Sequence, residues 1–280
     1  METLQVSGLC KKYPAFELKN VSFELESGKI TGFIGRNGAG KTTTLKSILH
    51  FVHPDAGKTE FFGMDMNGHE MEIKQKIGFV SGGIDYYQTK KLKSITAVTK
   101  TFYENWDQDA YERYLKLFAL DEEKTPAKLS AGMKVKYALA LALSHNASLL
   151  ILDEPTSGLD PVSRDELMDI FLNLCDEGKT ILFSTHITSD LDKCADNIIY
   201  IKQGTILAEA PLKQFTDSYR LIEGSREEFQ EEDENLLIGA KRSKEGMSAI
   251  VKTENIDKVK LACRECDLDT IMVHLEKGEE

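Results

Sequence analysis

The sequence predicts an α/β fold whose core is a parallel sheet buried on both faces. Two apolar segments, residues 149–152 and 180–184, flank a segment of helical character at residues 163–175. Both segments are apolar along their whole length, which is typical of parallel strands covered by helices on each side. A third apolar segment, residues 30–34, ends at a glycine-rich loop, after which apolar residues recur at helical spacing.

The N-terminal part is predicted to add an antiparallel β portion. Residues 4–9 alternate loosely between apolar and polar side chains, residues 20–25 alternate more regularly, and residues 59–62 suggest a further strand. Later in the chain, residues 198–201 and 205–208 flank a Gln-Gly pair and predict a closing hairpin.

An inserted helical subdomain is predicted between residues 84 and 147. This segment is mainly helical in composition, and Pro126 is its one proline. The side chains expected to form its buried face are Leu115, Leu117, Phe118 and Leu120.

A change of character near residue 213 predicts a core domain at residues 1–212 and a small accessory domain at residues 213–280. The acidic segment 226–235 is typical of a solvated helix or loop. Short apolar segments after it predict strands and one helix. The predicted strands are residues 236–239, 247–251 and 270–273, and the predicted helix is residues 256–262.

Composition limits the classes of function. The chain has 280 residues and a formal net charge of -11, which argues against sequence-independent binding to nucleic-acid phosphates. No apolar run approaches the roughly 18–20 residues that cross a bilayer, and the N-terminus lacks the features of a signal peptide. We therefore expect a cytoplasmic protein. The cysteines do not form two C-x-x-C pairs, so ordinary reduced thiols are expected rather than a four-cysteine zinc site.

The strongest local motif is the glycine-rich loop at residues 35–42, which matches G-x-x-x-x-G-K-[ST] completely. Glycines allow successive backbone N–H groups to point inward and hold phosphate oxygens. The helix that follows begins at the positive end of its dipole, which favours an anion. Lys41 is then expected to reach the β- and γ-phosphates of a nucleotide, and Thr42 to bind Mg²⁺.

Polar residues follow the two later apolar strands. Asp153 and Glu154 come directly after residues 149–152, and His186 follows residues 180–184. The carboxyl ends of neighbouring parallel strands open at one edge of a sheet, so these side chains are expected near the glycine-rich loop. There Asp153 can hold Mg²⁺, and Glu154 can polarise a water molecule that attacks the γ-phosphate. His186 can contact either that phosphate or the attacking water.

The order of these motifs resembles the ATP-binding subunit of an ABC transporter over roughly residues 1–212. The matching segments are the glycine-rich loop, Leu-Ser-Ala-Gly-Met at residues 129–133, Leu-Leu-Ile-Leu-Asp-Glu-Pro-Thr-Ser-Gly-Leu-Asp at residues 149–160, and Ser-Thr-His at residues 184–186. The resemblance implies a P-loop NTPase core with a mostly parallel sheet, and hydrolysis of ATP to ADP and phosphate with Mg²⁺ as cofactor.

The resemblance also implies a role for each matching residue. Tyr13 occupies the position of an aromatic side chain that stacks on adenine. Asp153 corresponds to the carboxylate linked to Mg²⁺, Glu154 to the catalytic glutamate, and His186 to the switch histidine. Asp160 ends a loop that touches the opposite subunit. The loop residues expected to hold the phosphates are Gly35, Asn37, Gly38, Ala39, Gly40, Lys41, Thr42 and Thr43.

The family signature, usually Leu-Ser-Gly-Gly-Gln, has Ala131 and Met133 at its third and fifth positions here. Ser130 is a good helix N-cap and Gly132 keeps the helix start open to a phosphate. In the family, this helix start meets the ATP bound by a second subunit. Met133 removes one polar contact and spares the serine and the backbone donors, so function is expected to survive. The variant signature, together with Asn-Trp-Asp at residues 105–107 and the long C-terminal extension, is similar to a subgroup exporting peptides or antimicrobials in Gram-positive bacteria.

One position departs from the family pattern. A glutamine normally follows the strand at residues 77–80 and links the metal site to the membrane partner, whereas by alignment Gly82 occupies that position here. Asp85, Gln88 or water are the candidates to replace it.

The implied partners are ATP, a second nucleotide-binding subunit in a homo- or heterodimer, and a separate membrane permease, with no nucleic acid. The chain is then expected in the cytoplasm, at the inner face of the cell membrane through the permease. Two alternatives stay open: a soluble ATPase of the same class that acts on the ribosome or on DNA, and a nucleotide-responsive regulator with little turnover. The single glycine-rich motif, the lack of an inserted zinc module and the acidic charge count against the first.

Overall fold

The computed structural model describes residues 2–81, 87–243 and 246–278. They divide into two compact units. One comprises the chain up to His186 together with Cys194–Glu209, and the other comprises Ile187–Lys193 and the chain from Ala210 onward. The second unit therefore begins three residues before the expected boundary and includes a short segment from the core sequence.

The strands of the first unit follow the predicted order with longer N-terminal members. They are β1 (Glu2–Tyr13), β2 (Phe16–Glu26), β3 (Ile30–Ile34), β4 (Ala56–Phe61), β5 (Met64–Asp65), β6 (Ile77–Ser81), β7 (Leu149–Asp153), β8 (Thr180–Thr185), β9 (Asn197–Lys202) and β10 (Thr205–Pro211). One sheet has the strand order β2-β1-β4-β5 with antiparallel pairs, and the other has the order β10-β9-β3-β8-β7-β6. In the second sheet β9, β3, β8, β7 and β6 pair in parallel, which confirms the predicted fold class.

The helices of the first unit are α1 (Lys41–Ile48), α2 (Met66–Gln75), α3 (Leu92–Thr99), α4 (Gln108–Leu117), α5 (Ala131–Ser144) and α6 (Pro161–Asp176). The next helix, α7 (Thr188–Cys194), belongs almost entirely to the second unit. Within the first unit, α3, α4 and α5 lie between β6 and β7 in the chain. One prediction about their packing is wrong. Leu117 was expected in the buried face with Phe118 and Leu120, yet its side chain is 71% exposed. Leu117 is the last residue of α4, and Phe118 is its C-cap. Neighbouring residues of a helix point in different directions, so Leu117 faces away from the side that buries Phe118.

The core of the first unit lies between the two sheets and α1. Every residue of β3, β7 and β8 is buried, as expected for central parallel strands. Phe33 of β3 packs against Phe23 of β2, with ring centroids 5.7 Å apart. The antiparallel portion is therefore attached to the parallel sheet by apolar packing, and it supports the loop that follows β3.

The second unit has its own sheet. Its strands are β11 (Tyr219–Gly224), β12 (Ile238–Ser243), β13 (Gly246–Lys252) and β14 (Cys263–Arg264), in the order β12-β13-β11-β14. Its further helices are α8 (Leu212–Asp217), α9 (Arg226–Gln230) and α10 (Leu268–Lys277). The strand β13 matches the prediction for residues 247–251, and β12 begins within the predicted strand at 236–239.

Two predictions in this unit are wrong. Residues 270–273, expected as a strand, lie in α10, where Leu268, Ile271 and Met272 are buried at helical spacing and Asp267 caps the first turn. A four-residue apolar run cannot separate strand from helix by itself, and the flanking positions decided the outcome. Residues 256–262, expected as a helix, comprise the end of a 3₁₀ helix at Thr253–Lys258 and irregular chain after it.

The acidic segment 226–235 is largely exposed and begins with α9, as expected of a solvated element, but two of its side chains are buried. Phe229 packs in the apolar cluster of this unit, and Glu232 is buried. The Glu232 carboxylate accepts hydrogen bonds from the backbone N–H groups of Lys260 and Leu261 at 2.9 Å. It satisfies backbone donors that extended chain would otherwise leave unpaired, which gives this carboxylate a structural role.

The cysteines are free thiols in the part of the chain that the structure describes. Burial raises the pKa of Cys263 and of Cys266. Their thiols contact different backbone carbonyls, of Leu261 and Tyr219 respectively. A raised pKa lowers the thiolate fraction, so the C-x-x-C spacing does not create a reactive pair here.

No helix within the described ranges has both the length and the apolar character that a membrane span requires.

A buried histidine predicts an acid-sensitive helical portion. His145, 3% exposed, donates from Nδ1 to the Gln75 carbonyl oxygen, and burial lowers its pKa from 6.5 to about 4. Between these values the unfolded chain binds a proton that the folded chain does not, so stability falls as pH falls. We expect the free energy of unfolding to be about 2 kcal/mol lower at pH 5 than at pH 7 from this group alone.

The measurement is urea unfolding of the wild type and of His145→Phe at both pH values. Trp106, the one tryptophan of the chain, reports on this portion by its fluorescence. Phenylalanine cannot titrate, so the loss of stability between pH 7 and pH 5 should be smaller in the variant by that amount. An equal loss in both proteins would show that His145 is not the responsible group.

Candidate functional site

The glycine-rich loop joins β3 to α1 and has a conformation that its glycines require. Gly40, the N-cap of α1, has φ of 117°, which side-chain-bearing residues rarely adopt. A Cβ atom there would lie 2.8 Å from Phe16 Cζ and 2.9 Å from Leu18 Cδ2. The motif therefore allows β2 to pack directly on the start of α1, where unpaired helix N–H groups favour a phosphate.

Lys41 begins α1 and folds back over the loop. Its Nζ atom donates to the Gly35 carbonyl oxygen at 2.7 Å and lies 3.2 Å from Glu154 Oε1. The side chain is 5% exposed. A buried ammonium group needs partners of opposite polarity, and these contacts supply them. The ammonium is thus held at the mouth of the loop, where a nucleotide phosphate can replace the carboxylate.

Asp153 ends β7 beneath this loop. Its Oδ1 atom accepts from Ser184 Oγ at 2.7 Å and from Thr42 Oγ1 at 3.1 Å. Asp153 is buried, while Thr42 is exposed. Three chain segments therefore meet at one carboxylate, because β3, β8 and β7 are adjacent and end at the same edge of the sheet.

Glu154 follows in a left-handed conformation, with φ of 51°. Its backbone N–H donates to the Ser184 carbonyl oxygen at 3.0 Å, which fixes the turn. Its carboxylate is shared between two partners: Oε1 contacts Lys41, and Oε2 accepts from His186 Nδ1 at 2.7 Å. The backbone turn points this carboxylate toward the loop, and both oxygens have defined partners.

A cavity of 520 Å³ lies over the loop. Predicted residues that line it include the loop residues Asn37, Lys41 and Thr43, together with Tyr13 and Glu154. Tyr13 is the last residue of β1 and pairs with Phe16, the first of β2. The β1–β2 hairpin therefore presents two aromatic rings at the side of the cavity, which suits a flat heteroaromatic base.

The structure separates the predicted residues into groups. Gly38, Gly40 and Thr42 also line the cavity, whereas Gly35 and Ala39 support it from the loop. Asp153 connects to it through Thr42, and His186 through Glu154. The remaining predicted residues do not line it. They are Ser130, Gly132 and Asp160.

Those remaining residues lie at two helix starts of the same chain. Ser130 is exposed and caps α5, where its Oγ accepts from Met133 N–H at 3.2 Å. Asp160 caps α6 and accepts from Ser163 Oγ at 2.6 Å, and this bond leads the contacts that lower its pKa. Gly132 lies beside them: a Cβ atom there would be 3.6 Å from Leu159 and 3.8 Å from Ser163. Within one chain, these helix starts do not share the cavity.

Sequence reasoning missed several contributors to the site. Ala15, Phe16 and Arg36 line the cavity without having been predicted. Ser184, which orients Asp153, was identified only as part of a motif. The aromatic at position 16, three residues after Tyr13 across a Pro-Ala turn, was the available signal for Phe16. Gly82 and Asp85, considered for the missing glutamine, lie outside the described residues. Gln88 is described, and its carbonyl oxygen accepts from Ala127 N–H at 3.4 Å.

The arrangement fits a nucleoside triphosphate and a divalent cation. Backbone donors of the loop and Lys41 supply positive potential for phosphates. The Thr42 hydroxyl and the Asp153 carboxylate already lie together, as hard oxygen ligands, at the rim of this phosphate site. Glu154, with His186 behind it, supplies a carboxylate where a water molecule would approach the terminal phosphate.

Comparison with known proteins identifies relatives of this chain. The bacitracin transport ATP-binding protein BcrA of Bacillus licheniformis is 32% identical over 239 residues, covering 84% of this chain and 77% of that protein. The Nod factor export ATP-binding protein I of Burkholderia lata is 34% identical over 197 residues, covering 69% of this chain and 65% of that protein.

A solved structure described as the ATP binding subunit of an ABC transporter superposes with a TM-score of 0.68 at 28% identity, covering 76% of this chain and 93% of that one. The family model described as ABC transporter matches residues 18–157, which contain the glycine-rich loop, the capped start of α5 and the Asp153–Glu154 pair. The chain therefore belongs to the ABC transporter family, as an ATP-binding member that hydrolyses ATP.

Proposed function

We propose that this chain is the motor subunit of a membrane exporter. It pairs with a second nucleotide-binding subunit and acts on a separate permease, through which it is held at the inner face of the membrane. The observation that carries the proposal is the separation of two half-sites in one chain. The cavity is lined by Lys41 and Thr42, which we propose to bind the phosphates and the metal, while Ser130 at the capped start of α5 does not line it.

Hydrolysis in this proposal uses residues that already contact one another. The γ-phosphate takes the place of the Glu154 carboxylate at Lys41 Nζ, since both are anions that compete for one buried ammonium. Glu154, released from Lys41, then orients the attacking water and accepts its proton. His186, 2.7 Å from the other carboxylate oxygen, holds Glu154 in place and reaches toward the phosphate.

The Lys41–Glu154 ion pair is the contact that ATP exchanges in this proposal. Before ATP binds, the carboxylate that would activate water is held by the ammonium that would bind phosphate. Binding of ATP therefore frees the Glu154 carboxylate and occupies the Lys41 ammonium. This exchange couples nucleotide binding to the readiness of the base.

Mg²⁺ is the proposed cofactor, with Thr42 Oγ1 and Asp153 as the residues that hold it, directly or through water. When bound, it neutralises charge on the β- and γ-phosphates. Ser184 keeps Asp153 oriented for this role through its 2.7 Å hydrogen bond. The phosphates receive their other contacts from the protein, through Lys41 and the loop N–H groups.

The second subunit supplies the start of α5. Ser130 is exposed, and the first turn of a fourteen-residue helix carries unpaired N–H groups that favour an anion. Met133 at the fifth signature position leaves these donors intact. Placed over the γ-phosphate in the other chain, Ser130 and Gly132 complete two composite sites, with Asp160 at the same contact. ATP then joins the subunits, and its hydrolysis separates them.

The names of the relatives favour export as the direction. One is described as a bacitracin transport protein and another as a Nod factor export protein. We propose an exporter on this basis, with a substrate that contacts the permease rather than this chain.

A complementation experiment tests the composite site. Lys41→Ala weakens phosphate binding, and Ser130→Arg places a bulky cation at the exposed start of α5. Each variant alone should hydrolyse ATP poorly. A mixture should recover about a quarter of wild-type activity, because half of the dimers are mixed and each mixed dimer has one intact site. Activity should also rise more than linearly with protein concentration.

The expected recovery distinguishes the proposal from its alternatives. No recovery, together with turnover proportional to protein concentration, would mean that one chain contains a complete site. ATP binding without turnover at any concentration would favour a nucleotide-responsive regulator. Lys46→Ala, an exposed lysine of the same helix, serves as the control for Lys41→Ala and should keep wild-type activity.

A further inference from the structure

The two ends of α5 have different environments. At the C-terminal half, α5 packs closely on β6, since a Cβ atom at Gly78 would lie 2.5 Å from Ala142 Cβ. At the N-terminal end, Ser130 is exposed, and its capping bond to Met133 lies within its own helix. The middle of the helix is held by Tyr137, whose hydroxyl bonds Thr96 and the Leu92 carbonyl oxygen. The tightest backbone packing of α5 thus lies at the end opposite to the residue that enters the composite site.

His145, the C-cap of α5, makes the contacts that fix this end. Its Nδ1 atom donates to the Gln75 carbonyl oxygen at 3.1 Å, at the last residue of α2. Its ring stacks on Tyr103, with centroids 3.7 Å apart and an interplanar angle of 8°. The residue before it accepts a further bond from Asp107 N–H at 2.7 Å, through the Ser144 carbonyl oxygen.

Gln75 closes the arrangement from the other side. Its side chain donates from Nε2 to the Phe102 carbonyl oxygen at 2.8 Å and accepts from Glu104 N–H at 3.0 Å. The loop that carries Tyr103 is thus held by the same residue whose carbonyl oxygen receives His145. We call Gln75, Tyr103 and His145 the α5 joint. It links α2, the loop before α4 and the end of α5.

We propose that His145 is a positioning residue for ATP hydrolysis: through the α5 joint it sets where Ser130 meets the nucleotide bound by the partner chain. The inference rests on the proposed composite site and assigns a function to contacts some four helical turns away from Ser130. His145 touches neither nucleotide nor reacting atoms.

The length of α5 makes its far end sensitive to this joint. Fourteen residues at 1.5 Å each give a lever of about 20 Å. A tilt of about 5° at the joint moves Ser130 by nearly 2 Å, more than the range over which a hydrogen bond retains its strength. Displacements of about 1 Å at a catalytic contact can reduce rates by about 100-fold. Loss of the joint therefore acts on turnover and leaves the P-loop of the same chain intact.

The complementation mixture distinguishes positioning from general stability. In that mixture the active site takes α5 from the Lys41→Ala chain and the phosphate loop from the Ser130→Arg chain. His145→Ala added to the Lys41→Ala chain should lower the recovered kcat at least about 10-fold. The same substitution added to the Ser130→Arg chain should change kcat less than about 2-fold, and ATP affinity should stay within about 2-fold in both.

The control is His274→Asn in the same two chains. His274 is a buried histidine that also donates from Nδ1 to a backbone carbonyl oxygen, that of Gly239, in the other unit of the chain. His274→Asn should not alter kcat, whether it is added to the Lys41→Ala chain or to the Ser130→Arg chain. Where His145→Ala does not fold, Tyr103→Leu removes the stacked ring from a half-buried loop position and takes its place in the test.

His145→Asn adds a rescue measurement, because its amide can donate to the Gln75 carbonyl oxygen without the ring. It should recover part of the activity lost in His145→Ala. Equal losses of kcat in both placements, or no loss in either, would overturn the inference. If the mixture of Lys41→Ala and Ser130→Arg recovers activity but His145→Ala gives equal losses or no loss, only the role of His145 is refuted. If that mixture recovers no activity, the composite site itself is refuted.

Discussion

Glu154→Gln should reduce ATP turnover by roughly 100-fold to 10,000-fold while ATP still binds, because an amide cannot accept the proton of the attacking water. The amide retains the shape of the side chain and can still contact His186. It no longer carries the charge that pairs with Lys41, so Lys41 is free for phosphate before ATP arrives. ATP affinity should therefore be unchanged or higher, and the ATP-bound dimer should accumulate.

The measurement combines single-turnover hydrolysis with nucleotide affinity and size-exclusion chromatography at saturating ATP. Glu123→Gln is the matched control, since Glu123 is an exposed glutamate that ion-pairs with Lys91 and Lys93. That variant should hydrolyse ATP like the wild type. Turnover of Glu154→Gln within a few-fold of the wild type would mean that another group activates the water.

Lys41→Ala should weaken ATP binding by roughly 30-fold to 5,000-fold, the range for removing one partner of a buried charge pair. Lys41 is the buried cation at the mouth of the loop, and its ammonium is held by the Gly35 carbonyl oxygen and by Glu154. Without it, the phosphates retain only the backbone donors. The Glu154 carboxylate then keeps one of its two partners, His186.

Isothermal titration with ATP, with and without Mg²⁺, measures this loss. Lys46→Ala, at an exposed position of α1, should keep wild-type affinity. If Lys41→Ala binds ATP as tightly as the wild type, the Lys41–Glu154 pair is a structural contact and the proposed exchange of partners is wrong. If Lys41→Ala instead unfolds at lower urea concentrations than the wild type at every pH, the pair chiefly stabilises the fold.

The parallel core and the residues at its edge were predictable because their local patterns are strong. The buried strands β3, β7 and β8 are apolar throughout, and the glycine-rich loop requires backbone conformations that glycine alone adopts easily. The convergence of Lys41, Asp153 and Glu154 followed from one rule, that neighbouring parallel strands open at the same edge.

The second unit was less predictable from local patterns. The run at residues 270–273 suits either a strand or a helix, and burial at helical spacing against β12 and β13 decided for α10. Glu232 looked like one more charge in an acidic segment. Its burial follows from backbone donors at Lys260 and Leu261, which lie far from it in sequence.

By itself, the sequence determined the fold class, the conformation of the glycine-rich loop and the order of the motifs, since each depends on residues close together in the chain. Only the tertiary structure decided which groups hold one another: Lys41 with Glu154, Ser184 with Asp153, and His145 with Gln75 and Tyr103. These pairs join segments about 30 to 110 residues apart. Their distances depend on how the sheet and helices pack, and no local pattern contains that information.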